Sequence, residues 1–432
     1  VLNLMMKVGL NLIVIRDTQS SRKRFSWAGE VFFLTFGFKD ELFVHASKGS
    51  NMSVMEGVMG LYDGRMGLEG NGSTAEIARI LQIPVVLIVD VTKMSESAAA
   101  LVLGYSQLDP KVNIVGVILN NVGGPSHLCS TAEAIEKKTN MPVLGYLPKT
   151  ATVSFSERHL GLVPATEKTE LAGHIGALRE QIQATVDISR IIQLASTALA
   201  IPPLSEKRLF PDKRKPACTR IAVAQDEAFN FYYQYNLDLL AAWGAELAYF
   251  SPMYDSALPA GTQGVYLGGG FPEIHAAQLE ANTKMKEALR TAANEGMPIY
   301  GECGGLMYLS QGIIDFESNK YKMIGLLPGW AAMQNRRVRI GYAEAETLRD
   351  SILAKQGTKL RGHLFHWSRM PYPTARAAYK ILDTEEQLEG FISGPRANIL
   401  GAYFHLHFGT APSLARQFVA SCAKWGRLGV TL

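Results

Sequence analysis

The sequence predicts an α/β protein of two domains, each a mainly parallel sheet flanked by helices. Three observations lead there. A chain of 432 residues exceeds what one hydrophobic core ordinarily serves. Short unbroken apolar runs alternate with segments of helical periodicity in both halves, the pattern of strands covered on both faces. Between the halves, Ile201-Pro202-Pro203-Leu204 and a basic, proline-bearing run to Pro216 interrupt all periodicity, which is linker composition. The expected boundaries are 1–200 for the first domain, 201–217 for the linker and 218–432 for the second.

In the first half, Met52–Met55, Val85–Val89 and Ile114–Leu119 are the expected strands, with helices over Ala75–Leu81, Glu96–Tyr105 and Thr131–Lys138. Ser73-Thr74-Ala75-Glu76 has capping-box form, so its hydroxyls are expected to cap and not to bind. From Glu167 to Ala200, apolar residues recur every three or four positions and predict helix. Sites in such sheets lie at the carboxyl ends of strands. Glu56, Asp90 and Asn120 fall there. A carboxylate at Glu56, followed by a glycine-interrupted loop, suits magnesium beside phosphates, and the Asn120 carboxamide can read an adenine edge. Each alone also reads as a turn former or cap. On three successive strand tips they point together to a nucleotide site.

The second half opens with a strand at Thr219–Ala224. The strand Gly264–Leu267 then runs into Gly268-Gly269-Gly270-Phe271-Pro272-Glu273. Three glycines let the backbone approach a ligand, and the amides near Gly269 and Gly270 can hold an oxyanion; a plain tight turn seldom needs three. The apolar run ending at Ile299 leads into Tyr300-Gly301-Glu302-Cys303-Gly304-Gly305 and a helix from Leu306. A cysteine on such a strand–turn–helix bend is exposed, and the first helix amides, Gly304 among them, are expected to lower its pKa and face what it attacks. A small buried core cysteine is the alternative, against which the flanking glycines argue. The partner base is expected in Gly401-Ala402-Tyr403-Phe404-His405-Leu406-His407-Phe408, where His405 and His407, two apart on a strand, can share one pocket. Metal binding by that pair lacks a completing ligand set.

Composition excludes several classes. Hydrophobic residues at 47% and charged residues at 19% describe a globular enzyme, and the net charge of +4 is mild. The basic excess sits in Lys207–Lys215 and Arg336–Arg339, with no aromatic interleaving, so no nucleic-acid partner is expected. No apolar run is long enough for a membrane span. Cysteines at 129, 218, 303 and 422 show neither disulfide nor zinc spacing, which suits a cytoplasmic location.

In this order, the glycine turn, the cysteine elbow and the late histidine resemble the triad-type (class I) glutamine amidotransferases. That family usually carries His-Pro-Glu, with the glutamate orienting the imidazole; here the run is His405-Leu406-His407, which resembles the branch of cobyrinic and cobyric acid synthases that works with a Cys–His dyad. Glu56–Gly64, Gly72–Glu76, Glu157-Arg158-His159-Leu160-Gly161-Leu162, Ala228–Tyr233, Gly268–Glu273, Gly301–Leu309 and Arg361-Gly362-His363 are similar to the cobyrinic acid a,c-diamide synthase family over roughly residues 50 to 410. The resemblance implies a P-loop, dethiobiotin-synthetase-like first domain and a glutamine amidotransferase second domain. It implies ATP- and Mg2+-dependent amidation of the a and c acetates of cobyrinic acid, a corrinoid, with glutamine as nitrogen donor. Catalysis falls to Cys303 and His405, the oxyanion to Gly269, Gly270 and Gly304, the metal to Glu56 and Asp63, and the adenine to Asn120. The family acting on Ni-sirohydrochlorin shares nearly every motif and stays open as an alternative, as does a truncated form retaining only glutaminase activity. A homodimer is one option for the assembly.

Two departures from the family stand out. No G-x-x-x-x-G-K-[ST] occurs anywhere; Val1–Gly9 matches the tail of the helix after that loop and Leu10–Ile15 the second strand, so the loop is expected upstream of residue 1. Arg16–Phe38 lacks the family's Lys-x-Gly-Pro-Asp-Tyr-type run, which leaves ATP use open. A smaller departure is Leu364, where the family usually has glutamate.

Overall fold

The computed structural model describes residues 12–16, 25–27, 39–57, 60–64, 72–149, 168–199, 207–336, 338–371, 376–382 and 387–428. The Glu157–Leu162 element and nearly all of Arg16–Phe38 lie outside them. The described residues fall into two compact units that divide at Ser205/Glu206.

The first unit is built on a six-stranded sheet. Its strands Val85–Asp90, Ile114–Val122 and Val143–Pro148 run parallel, and Phe25–Trp27 runs parallel to Met52–Glu56. Leu12–Arg16 departs from the expected parallel order, pairing antiparallel with both Met52–Glu56 and Val85–Asp90. The apolar runs are strands because both faces are covered: Val86, Ile88, Ile118, Leu144 and Leu147 pack against Val186, Ile191 and Ala195 of the following helical segment. That segment is two helices, Lys168–Thr185 and Ile188–Ala195. They divide at Asp187, whose carboxylate accepts the Arg190 N–H at 2.8 Å and caps the second. Ser73 caps the helix Thr74–Leu81 as expected, accepting the Glu76 N–H at 3.1 Å. The Glu76 carboxylate reaches back to the Gly72 N–H at 2.6 Å.

The second unit is built on a ten-stranded sheet. Ala245–Phe250, Thr219–Ala224, Gly264–Leu267, Ile299–Glu302 and Ile399–Ala402 form a parallel half. Gln387–Ser393, Ala377–Ile381, Arg339–Thr347, Lys359–His366 and His405–Leu406 continue it antiparallel, so this sheet is only half parallel. The order carries a geometric consequence. Ile399–Ala402 and His405–Leu406 are five strand steps apart in the sheet, about 24 Å if it were flat. Only Tyr403 and Phe404 separate them in the chain, and three residue steps reach at most ~11 Å. The antiparallel half therefore curls back over the carboxyl ends of the parallel strands. That curl brings His405–Leu406 back beside Glu302, the residue before Cys303, where the Leu406 N–H meets the Glu302 carboxyl at 3.1 Å.

Candidate active site

Cys303 follows the fully buried strand Ile299–Glu302 and precedes the buried helix Gly304–Leu309. Its backbone sits at φ +46°, ψ −98°, a left-handed φ that costs a non-glycine residue on the order of 1–3 kcal/mol and persists only where the surroundings impose it. The imposing contacts are visible. The Cys303 N–H donates to the Ala402 carbonyl at 2.7 Å, the Gly305 N–H to Gly268 at 2.9 Å, and the Met307 N–H to Cys303 at 3.0 Å. A β-carbon on Gly305 would lie 2.2 Å from the Leu267 carbonyl oxygen, so only glycine lets the helix start this close to the neighbouring strand. The sulfur ends 3.9 Å from the Phe365 carbonyl, on the curled-over strand.

The glycine turn lies between the Cys303 elbow and His405. Gly269 and Gly270 pair with Phe231 and Phe229. A β-carbon on Gly304 would lie 3.2 Å from the Gly270 amide nitrogen, and one on Gly269 would lie 2.7 Å from His405 Cε1. Gly304, Gly270, Gly269 and His405 are thus in successive contact, beginning beside the sulfur and ending at the imidazole.

His405 is 4% exposed and is paired with His363 across the strands. Their rings stack at 4.5 Å and 6°, while Phe231 meets His405 edge-on at 5.1 Å. The Tyr233 hydroxyl lies 2.5 Å from His363 Nδ1. Burial, with His363 and His366 nearby, holds His405 well below the usual imidazole range, so the ring rests neutral and able to accept a proton. Among the described residues its buried Nδ1 finds no hydrogen-bond partner.

Two expectations need correction. His407, expected to share one pocket with His405, is engaged by other groups. It is fully buried, its ring lies 5.0 Å from that of Tyr233, and its Nδ1 accepts the Gly409 N–H at 3.1 Å, capping the turn Phe408–Thr410. Nor is the Cys303 thiol pKa lowered. Burial pushes it up, the Glu273 carboxylate adds to the push, and the Gly304 amide offsets only part. Burial therefore favours a neutral thiol at Cys303 and a neutral imidazole at His405.

Sequence reasoning missed Glu302, Glu273 and Asn236. Glu302 is 1% exposed and accepts from Tyr266 Oη at 2.9 Å, Leu406 N at 3.1 Å and the Tyr300 hydroxyl; burial pushes it up to about 7. Burial does the same to Glu273, also to about 7. A charged residue inside the apolar run before Cys303 was the available signal. Leu364 is 1% exposed, on the buried face of Lys359–His366, where an apolar side chain is at home.

In the first unit Asn120 pairs in register with Asp90, but its strand runs on to Val122, so it lies within the strand and not at its tip. The Asn120 carboxamide oxygen accepts the Asn121 N–H at 2.9 Å. Asn121, at φ +61°, turns its amide onto Asp90 at 2.9 Å. Although burial pulls Asp90 up, hydrogen bonds from Thr92 and Asn121 and the Lys149 charge hold it below the usual carboxylate range. Glu56 ends its strand, and the exposed Asp63 folds back on Gly60, whose carbonyl accepts the Asp63 N–H at 3.0 Å. Among the described residues no group of three metal-ligating side chains forms. Two carboxylates suffice for magnesium, which takes its other oxygens from phosphates and water. No described helix is long and apolar enough to cross a membrane.

Known proteins place these features. Residues 220–412 match the CobB/CobQ-like glutamine amidotransferase domain, and residues 42–157 match an AAA domain. The chain is 53% identical over 385 residues to a cobyrinate a,c-diamide synthase of Dehalococcoides mccartyi, covering 88% of this chain and 82% of that protein. It is 39% identical over 426 residues to the Caldanaerobacter subterraneus subsp. tengcongensis protein of the same name, covering 98% and 92%. With that of Methanosarcina acetivorans it shares 39% over 413 residues, covering 89% and 82%.

Proposed function

The chain belongs to the cobyrinate a,c-diamide synthase family, and we propose that its two units divide that reaction between nitrogen release and carboxylate activation. It is a carbon–nitrogen ligase of cobalamin biosynthesis with glutamine as amide donor, and its first domain is nucleotide-binding. The domain limits 1–200 and 218–432 follow from this division.

The observation that carries the proposal is the run of contacts from Gly304, next to Cys303, through Gly270 and Gly269 to His405. Glutamine places its carboxamide against the sulfur. As Cys303 Sγ attacks the carbonyl carbon, the neutral His405 takes the thiol proton. The amides of Gly270 and Gly304, with Gly269 forming the wall, hold the tetrahedral oxyanion. His405 then passes the proton to the departing nitrogen, releasing ammonia and leaving a glutamyl thioester. Water, deprotonated by the same imidazole, cleaves the thioester to glutamate.

In the first domain the corrinoid acetate is activated as an acyl phosphate at the expense of ATP, and ammonia displaces the phosphate. Asn120 would read the adenine, and Glu56 and Asp63 would hold Mg2+, which when bound would neutralise phosphate charge. The enzyme works in the cytoplasm, as a homodimer. The experiment is to supply the chain with glutamine, ATP, Mg2+ and cobyrinic acid: one ADP and one glutamate per amide formed, ending at the a,c-diamide, is expected. Glutamate without ADP or amide would overturn the proposal.

A further inference from the structure

Among the described residues His405 Nδ1 has no partner, and His407, where a triad glutamate would stand, is a cap. Something else must hold the imidazole against Cys303. The backbone around it shows what does. The Tyr403 N–H donates to Glu389 Oε1 at 2.6 Å and the Leu406 N–H to Glu302 Oε1 at 3.1 Å. Asn236 donates to the Leu406 carbonyl at 2.8 Å and accepts the Phe408 N–H at 2.7 Å.

Glu302 differs from the other two in its place along the chain. It immediately precedes the nucleophile, and it grips the residue that immediately follows the base. The same carboxyl accepts the hydroxyls of Tyr266 and Tyr300, so one side chain joins Gly264–Leu267, Ile299–Glu302 and His405–Leu406 at a point. A carboxyl that is 1% exposed costs free energy that its three donors only offset, and an apolar side chain would fill the core more cheaply. The group is accounted for by position, not by stability.

The geometry points to Glu302 as a positioning residue of the glutamine-hydrolysing pair: through the Leu406 amide it holds His405 in register with Cys303, in place of a carboxylate on the imidazole. This rests on the Cys303–His405 assignment above. Glu302 touches neither substrate nor the reacting atoms; it sets the distance over which the thiol proton moves.

Steady-state glutamine hydrolysis by the full chain tests it, with Glu302→Met, Glu302→Gln and Cys303→Ala measured beside the wild type. Glu302→Met, similar in size without an acceptor oxygen, is expected to lose about 10²-fold in kcat, the cost of misplacement by about 1 Å, with KM within about threefold. Glu302→Gln, whose Oε1 still accepts the Leu406 N–H, should recover kcat to within about tenfold of wild type. A folded Glu302→Met variant with wild-type kcat overturns the inference, as does a Gln variant no better than Met. Should Glu302→Met fail to fold, Tyr266→Phe combined with Tyr300→Phe frees the carboxyl of two anchors; a kcat loss of about tenfold is expected, and an unchanged kcat overturns it. Glutamine hydrolysis by Cys303→Ala would instead sink the underlying assignment, whatever Glu302 does.

Discussion

The imidazole of His405 rests on the bare backbone of Gly269: a β-carbon there would stand 2.7 Å from Cε1 and 3.3 Å from the Phe231 Cβ. One missing methyl group therefore sets where the base can lie. Gly269→Ala should push the ring off its contact and lower kcat for glutamine hydrolysis by about 10²-fold, while overpacking costs ~1–3 kcal/mol of stability. Steady-state kinetics with a thermal melt checks both. A variant with wild-type kcat would show that the contact does not hold the base in place.

The thiol gives a second prediction. With Cys303 held above its usual range by burial and by Glu273, little thiolate exists near neutrality in the absence of glutamine. Alkylation of Cys303 by iodoacetamide should be slow at pH 7 and rise about tenfold per pH unit into the alkaline range. Glu273→Gln should move that profile toward lower pH. A rate already at its plateau near pH 7 would mean a preformed thiolate.

His363 supplies a third. Its ring stacks on His405 and its Nδ1 meets the Tyr233 hydroxyl. His363→Leu keeps bulk but loses that hydrogen bond and leaves the hydroxyl in need of a partner. Glutamine hydrolysis should fall about tenfold in kcat, the equivalent of ~1.4 kcal/mol. Equal rates for variant and wild type would reduce His363 to packing.

Acid stability follows from the buried imidazoles. Burial holds His363 and His366 near about 4 and His407 near about 3, with His405 also well below 6.5. The unfolded chain takes up these protons from pH 6.5 downward while the folded chain does not, so their contribution is lost as pH falls. Glu302 and Glu273, raised to about 7, act the other way: the folded chain keeps protons between pH 7 and 4.5 that the unfolded chain releases. Four imidazoles outweigh two carboxyls, and the melting temperature should fall between pH 6.5 and 4.5. A flat or rising profile there would contradict the burial of the imidazole cluster.

Much of this site is local in origin and so was legible in the sequence. The elbow announces itself because glycines must flank Cys303 for helix and strand to touch, and the strands Thr219–Ala224 and Gly264–Leu267 end where their apolar runs end. What stayed hidden depends on the curl of the second sheet. Glu302 reads as an odd charge in a strand until His405–Leu406 folds back onto it. His407 reads as a pocket partner of His405 until the Tyr233 ring and the Gly409 amide claim it. The thiol shift is not legible in sequence because burial and a neighbouring carboxylate act through space, and a six-residue helix cannot outweigh them. In the first unit, Asn120 reads as a strand tip because the polar pair Asn120-Asn121 ends the apolar run, yet the ladder continues to Val122.

In the proposed function, nitrogen release begins with the capture of glutamine by the Cys303 sulfur. The most direct measurement incubates wild type, Cys303→Ala and His405→Ala with glutamine alone and follows glutamate release. Wild type should release glutamate, Cys303→Ala none, and His405→Ala less than about a hundredth of the wild-type rate, as expected for loss of a general base. Glutamate release by Cys303→Ala at a rate comparable with wild type would contradict the account.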